Sequence, residues 1–286
     1  MEGTLLASNL GFPEGPVIMP DGSVVFCDGN TGEMRSWKDG ELGVHSVTGG
    51  SPWGAVLGTD GAIYVTQGGN VPGSGDESAI CGIQRVNPDG TVELLSSEIA
   101  GHTLAGPNDL AFGPDGRLWF TDSGTEQDPR AAEPATGKLF VLDANGGGEM
   151  LAERPNVYPN GIAFDGQGRM YWTESMAHAV LRWDDGEVTT FCQLSDGHVP
   201  DGMAFAADGR LFVCTTISGG LTVLSPEGEV LEEITLGEHA TNCIFDGSTL
   251  YVTATAVSDI HADQRTGTFW SVETDATGLP LIPGQL

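Results

Sequence analysis

Six short segments of the chain share one register: Pro13-Glu14-Gly15, Pro52-Trp53-Gly54, Pro107-Asn108-Asp109, Pro159-Asn160-Gly161, Pro200-Asp201-Gly202 and Thr241-Asn242-Cys243. Their middle residues are Glu14, Trp53, Asn108, Asn160, Asp201 and Asn242, and all but Trp53 carry side-chain oxygen. Any one Pro-Asn-Gly or Pro-Asp-Gly is an ordinary turn sequence. Turn chemistry accounts for Asn and Asp, but not for Glu14 in the same register. Brought to one axis, two carboxylates and two or three amide oxygens would form a hard-cation site, the two negative charges balancing a divalent ion. Ca²⁺ suits such a set best, because it accepts many oxygen ligands in irregular geometry, whereas Mg²⁺ demands a tighter octahedron. Mn²⁺ or Zn²⁺ would need only three protein ligands with water completing the shell, and the absence of His from the ring argues against zinc.

The elements that must position these residues are short strands. Each segment runs into an apolar stretch, an Asp-Gly or similar turn, and a second apolar stretch, as in Leu110-Ala111-Phe112, Pro114-Asp115-Gly116 and Leu118-Trp119-Phe120-Thr121-Asp122. Alternation bounded by such turns reads as a β-hairpin. The turns at Asp21, Asp60, Asp115, Gln167, Asp208 and Ser248 are spaced by 39, 55, 52, 41 and 40 residues. About 40 residues hold four antiparallel strands, one propeller blade. The expected fold is therefore an all-β, six-bladed β-propeller with four-stranded antiparallel blades, one domain over residues 1–286. The sixth repeat lacks a convincing fourth strand, and Gly3-Thr4-Leu5-Leu6-Ala7-Ser8 lacks a hairpin partner, so the N-terminal strand should close the last blade and remove an open sheet edge. The surplus of the two long repeats falls at residues 68–81 and 123–137, candidate lids over the mouth where the inner strands begin.

Composition narrows the partners. Forty acidic residues against 11 basic ones give a net charge of −29, a surface that repels nucleic acid and anionic membrane. The excess fits an acid-rich, salt-adapted proteome or a face that enriches cations. Five cysteines without a C-x-x-C pair, several in expected strands, read as reduced core residues and favour a cytoplasmic location. Neither an export signal nor a membrane span is evident.

The Phe12-Pro13-Glu14-Gly15-Pro16 opening, with Pro107-Asn108-Asp109-Leu110, Pro159-Asn160-Gly161-Ile162-Ala163 and Pro200-Asp201-Gly202-Met203-Ala204, resembles the SMP-30/gluconolactonase/luciferin-regenerating-enzyme family over nearly the whole chain. The resemblance implies a six-bladed propeller with one divalent cation in its channel and, for most members, hydrolysis of a small-molecule lactone. It implies Glu14, Asn160 and Asp201 as metal ligands, Asn108 as a further ligand or substrate contact, and Asp201 as the general base. The cation would polarise the lactone carbonyl while Asp201 directs a water at its carbon. A serine triad finds no support, as no G-x-S-x-G elbow is present. Animal-type sugar-lactone members carry Arg two residues before the third-blade Asn; here that residue is Gly106. Trp53 suggests an apolar wall, while Tyr158, His198 and Asn242 are candidate substrate contacts. Asp122 is a candidate contact for substrate or a second cation, or else a hairpin cap. Arg117, Arg169 and Arg210 follow the turns of the opposite face and read as inter-blade ion pairs. Rival readings keep the ring but hydrolyse a phosphoester or fluorophosphonate, reuse the site for a non-hydrolytic step on a cyclic intermediate, or make the propeller a binding scaffold.

Overall fold

The apolar stretches after the six segments form inner strands at Pro13–Ile18, Pro52–Leu57, Pro107–Phe112, Pro159–Phe164, Pro200–Phe205 and His239–Asp246. The computed structural model describes residues 1–69, 79–124, 136–184, 186–256 and 265–286; the inner parts of both expected lid loops lie outside them. Five blades are four-stranded meanders in chain order. The sixth takes its outer strand from the N-terminus, where Gly3–Leu10 pairs antiparallel with Gly267–Glu273. The six blades form a ring, the expected propeller. A small hairpin, Glu98–Ile99 with His102–Thr103, sits between blades two and three.

The blades pack through a repeated aromatic contact. The aromatic of the second strand meets the Phe that ends the next inner strand: Tyr64 on Phe112, Trp119 on Phe164, Tyr171 on Phe205 and Phe212 on Phe245, with centroids 5.0–5.6 Å apart and rings near perpendicular. Edge-to-face pairs add roughly 0.5–1.5 kcal/mol each beyond their buried area. Arg117, Arg169 and Arg210 lie over Trp119, Tyr171 and Phe212. The expected pairing beyond the blade is found at Arg210 and not at Arg117 or Arg169. Arg117 pairs with Asp115 and Glu149 of its own blade, Arg169 with Asp165 of its own turn, and Arg210 with Asp208 and with Asp275 of the C-terminal segment. A side chain next to a turn reaches the carboxylate of that turn first.

Residues 274–286 form a strap across the face opposite the ring. Leu279 N–H bonds to Phe205 O and Thr59 N–H to Gly284 O, while Leu286 N–H bonds to the Tyr64 hydroxyl. Between strap and ring the inner strands enclose a cavity of about 90 Å³, walled by Leu110, Ile162, Phe205 and Leu279 with Asp109 and Asn242 among its polar atoms.

Every inner strand carries an irregularity at its start. Pro107 pairs with Asp122 and Leu110 with Phe120, so three steps on one strand oppose two on the other. The same shift occurs at Glu14/Val17, Pro52/Ala55, Pro159/Ile162, Pro200/Met203 and Ala240/Asn242. These are β-bulges, which re-aim a side chain at the cost of one ladder position. The Pro-x-Gly signature is therefore a bulge rather than a turn, and its glycine answers to crowding. A Cβ on Gly161 would lie 2.4 Å from Asp201 O and 2.7 Å from Gly202 Cα, and one on Gly202 would lie 2.2 Å from the Asn242 side chain. Gly161→Ala should cost about 1–3 kcal/mol, the range for overpacking against atoms that cannot yield. Urea unfolding should show a lower midpoint at unchanged slope; an unchanged midpoint would show that the bulges are not in tight contact.

Candidate metal centre

The bulges bring Glu14, Asn160, Asp201 and Asn242 to the axis as buried side chains, with Asn108 and Trp53 half-exposed beside them. Backbone carbonyls of this ring are stitched to the preceding blade. Thr66 Oγ1 donates to Asn108 O, Thr121 Oγ1 to Asn160 O (2.6 Å) and Thr173 Oγ1 to Asp201 O (2.9 Å), and Thr241 closes the circle on Pro13 O. A buried hydroxyl needs such a partner, and each bond contributes about 1 kcal/mol net.

A residue that sequence reasoning passed over joins the ring. Asp109, buried, occupies the bulge position where four other blades have glycine. That substitution of Asp for Gly was the available signal, masked by the turn-like Pro-Asn-Asp sequence. Its carboxylate accepts the Leu110 and Ile162 N–H groups at 2.9 and 3.2 Å. Burial pushes its pKa up to about 6. Burial first, then the charges of Asp201 and Asp109, raises Glu14 well above the usual carboxylate range, and burial plus Asp109 does the same to Asp201. Among the described residues, the main groups acting on these three acids include no Arg or Lys.

The amides divide the work. Asn160 Nδ2 donates to Ser175 Oγ at 3.1 Å, and its side chain bonds to Asp201. That leaves Oδ1 as a donor atom for a cation. Asn242 accepts the Cys243 N–H on Oδ1 at 2.8 Å and bonds to both Glu14 and Asp109, so its amide bridges two acids. Tyr158, held at a left-handed φ of 54°, hydrogen-bonds to Asn108 and Ser123. Burial and the Asp201 charge push its phenol up to about 12, so it stays neutral.

The other candidates lie apart from this group. His198 bridges Ser195 Oγ (2.9 Å) and Glu233 (3.1 Å), tying the loop before the fifth blade to that blade's exposed outer strand. Asp122 accepts the N–H groups of Ala105, Gly106 and Gly124 at 2.8–2.9 Å. It belongs to a row of latches at the ends of second strands, with Asp28 holding Gly11 and Phe12 and Gln67 holding Ser51 and Gly69.

The ring fits a divalent cation. Buried carboxylates without a cationic side chain are costly unless a metal ion or protons neutralise them. Among the described residues no three His, Cys, Asp or Glu side chains cluster closely enough to hold a metal by themselves, so a cation here would draw on the amide oxygens of Asn160 and Asn108 as well. Oxygen-only donors of this kind suit a hard ion.

Fold and site together define a β-propeller with an acidic, amide-lined centre at the start of its inner strands. The SMP-30/Gluconolactonase/LRE-like family model matches residues 12–256, and the chain belongs to that family. A gluconolactonase of Zymomonas mobilis is 25% identical over 87% of this chain and 78% of its own length. A 6-deoxy-6-sulfogluconolactonase of Pseudomonas putida is 31% identical over 57% of this chain and 58% of its own. The solved structure of a calcium-binding protein, regucalcin, from Agrobacterium tumefaciens matches with a TM-score of 0.79 over 99% of this chain and 97% of that one; at 20% identity the likeness is one of fold.

Asp122→Ala should lower stability by about 2–4 kcal/mol, because three backbone N–H groups lose a charged acceptor, and should leave divalent-cation affinity within about twofold. Calorimetric titration of the variant with Ca²⁺ checks this. A loss of affinity without loss of stability would return Asp122 to the site.

Proposed function

We propose that this protein is a divalent-cation-dependent hydrolase that opens a lactone. The observation that carries the reading is the ring itself: Glu14, Asn160 and Asp201 in the register of the family motifs, converging where no cation of the described residues balances them. The names of the gluconolactonase relatives support the substrate class. Glu14, Asn160 and Asp201 would hold the ion, with Asn108 as a further ligand or a substrate contact; Ca²⁺ is the first choice over Mg²⁺, Mn²⁺ or Zn²⁺. When bound, the ion supplies Lewis acidity at the lactone carbonyl and stabilises the charge that develops on its oxygen.

The chain's own residues account for the rest. Asp201, aligned by the Asn160 amide and the Gly202 N–H, takes the proton of the attacking water and returns it to the departing ring oxygen. Asn160, fixed by Ser175, holds that carboxylate in place. Asn242 fixes Glu14 against Asp109, so the three acids keep their positions despite mutual repulsion. The neutral Tyr158 phenol orients Asn108 at the mouth. The strap crosses the opposite end, and the ring side is the proposed entry for substrate and water. No nucleic acid or membrane partner is part of this reading. Among the described residues, no helix is long and apolar enough to cross a membrane.

Proton release from γ- and δ-lactones by EDTA-stripped protein, with each of the four ions added back, tests the class. Hydrolysis should appear only with metal, and Asp201→Asn should lower kcat by roughly 10²–10⁴-fold, the usual contribution of a general base. Full turnover by that variant, or silence of the metal-loaded protein toward every lactone, would overturn the reading.

A further inference from the structure

The ring is polar in five sectors and apolar in one. Trp53 stands between Glu14 of the first blade and Asn108 of the third, so a molecule whose carbonyl reaches the ring acids has one flank on the indole. The indole is not free to turn away. Phe12 meets it edge-on, with centroids 5.7 Å apart and planes at 86°. Gly29 and Gly68 lie beneath it: a Cβ on Gly29 would fall 2.6 Å from Cζ3 of the indole, and one on Gly68 would fall 2.4 Å from Nε1. Two second-strand ends are thus followed by glycines that leave the space the ring system fills, and the indole presents its remaining, half-exposed surface at the mouth.

The adjoining sector carries the Asn108 amide, and among the described residues the position two before it adds no further polar side chain. Gly106, two residues before Asn108, has no side chain, and a Cβ there would lie 2.6 Å from Gly124 O. Its N–H is already held by Asp122 at 2.9 Å. Sugar hydroxyls laid on the indole would give up water without gaining a partner, which is unfavourable. An alkyl or aryl group laid on it buries apolar surface, which is favourable.

We propose that Trp53, gripped by Phe12, Gly29 and Gly68, determines specificity, and that the substrate is a lactone bearing an alkyl or aryl arm rather than a polyhydroxylated sugar lactone. This rests on the lactone-hydrolase reading above. It is tested by kcat/KM of the metal-loaded protein for γ-butyrolactone, its γ-alkyl homologues up to hexyl, and gluconolactone, in the wild type, Trp53→Ala and Trp53→Phe. In the wild type kcat/KM should rise about two- to fourfold per added methylene, since a buried methylene is worth up to about fourfold, and gluconolactone should fall well below the hexyl homologue. Trp53→Ala should flatten the rise to near unity per methylene, and Trp53→Phe should keep most of it. A slope that is equally steep in Trp53→Ala, or a wild type that prefers gluconolactone, overturns the role of Trp53 while leaving the hydrolase reading intact. Absence of turnover with every lactone overturns both.

Discussion

Three carboxyl groups gathered at the axis must be held together by something other than each other. Two carboxylates 4 Å apart repel by about 4 kcal/mol even at a surface-like dielectric, and among the described residues the main groups acting on Glu14, Asp109 and Asp201 include no lysine or arginine. What resists the repulsion is backbone. Each inner strand begins with a bulge whose second residue touches the next blade, Gly15 on Trp53, Gly54 on Asn108, Gly161 on Asp201 and Gly202 on Asn242. The threonine stitches tie carbonyls of the same residues to the preceding blade. The acids therefore ride on a closed belt of main chain, and their side chains have little room to relax apart. A site built this way would meet the proposed cation with its acids already in place, because closure of the ring fixes them.

The two faces of the propeller answer to different demands. On the ring face the bulges give up regular pairing, and the latches Asp28, Gln67 and Asp122 recover hydrogen bonds for the loops that lead into the inner strands. On the opposite face the Asp-Gly turns, their arginines and the strap are satisfied locally, and the aromatic pairs between them carry the inter-blade packing. Strain and unpaired charge are thus concentrated on the ring side, while the other side supplies burial.

The fold was readable from the chain because its signals are periodic. Pro107-Asn108-Asp109 means little alone, but six copies in register place their side chains on one axis, and a missing partner at each end of the chain implies that the ends pair. What stayed hidden breaks the period or depends on a neighbour in space. Asp109 hides because it follows Asn108 in a turn-like tripeptide, although comparison with Gly15, Gly54, Gly161 and Gly202 marks it as the exception. Asn242 reads as a substrate contact until the Cys243 N–H and two carboxylates are seen to engage its amide. Asp122 looks like a site acid because a strand-end carboxylate beside a long loop has the same sequence whether it faces a substrate or three backbone N–H groups. Residues 274–286 carry no alternation, so nothing in them announced a strap.

The asymmetry of the ring follows from the same logic. A six-fold repeat could have placed an oxygen-bearing side chain in every sector, and Trp53 in the second blade is the departure. An indole in a belt this tight needs space that the belt itself does not provide, and it comes from Gly29 on the preceding blade and Gly68 on its own, each directly after one of the latches Asp28 and Gln67. The latches fix those loops, so the glycines cannot drift and the groove beneath the ring system persists. Position, support and clearance for one apolar side chain are thereby distributed over two blades. In the proposed reaction the five polar sectors would fix where the reacting carbonyl goes, and the sixth would decide what may be attached to it.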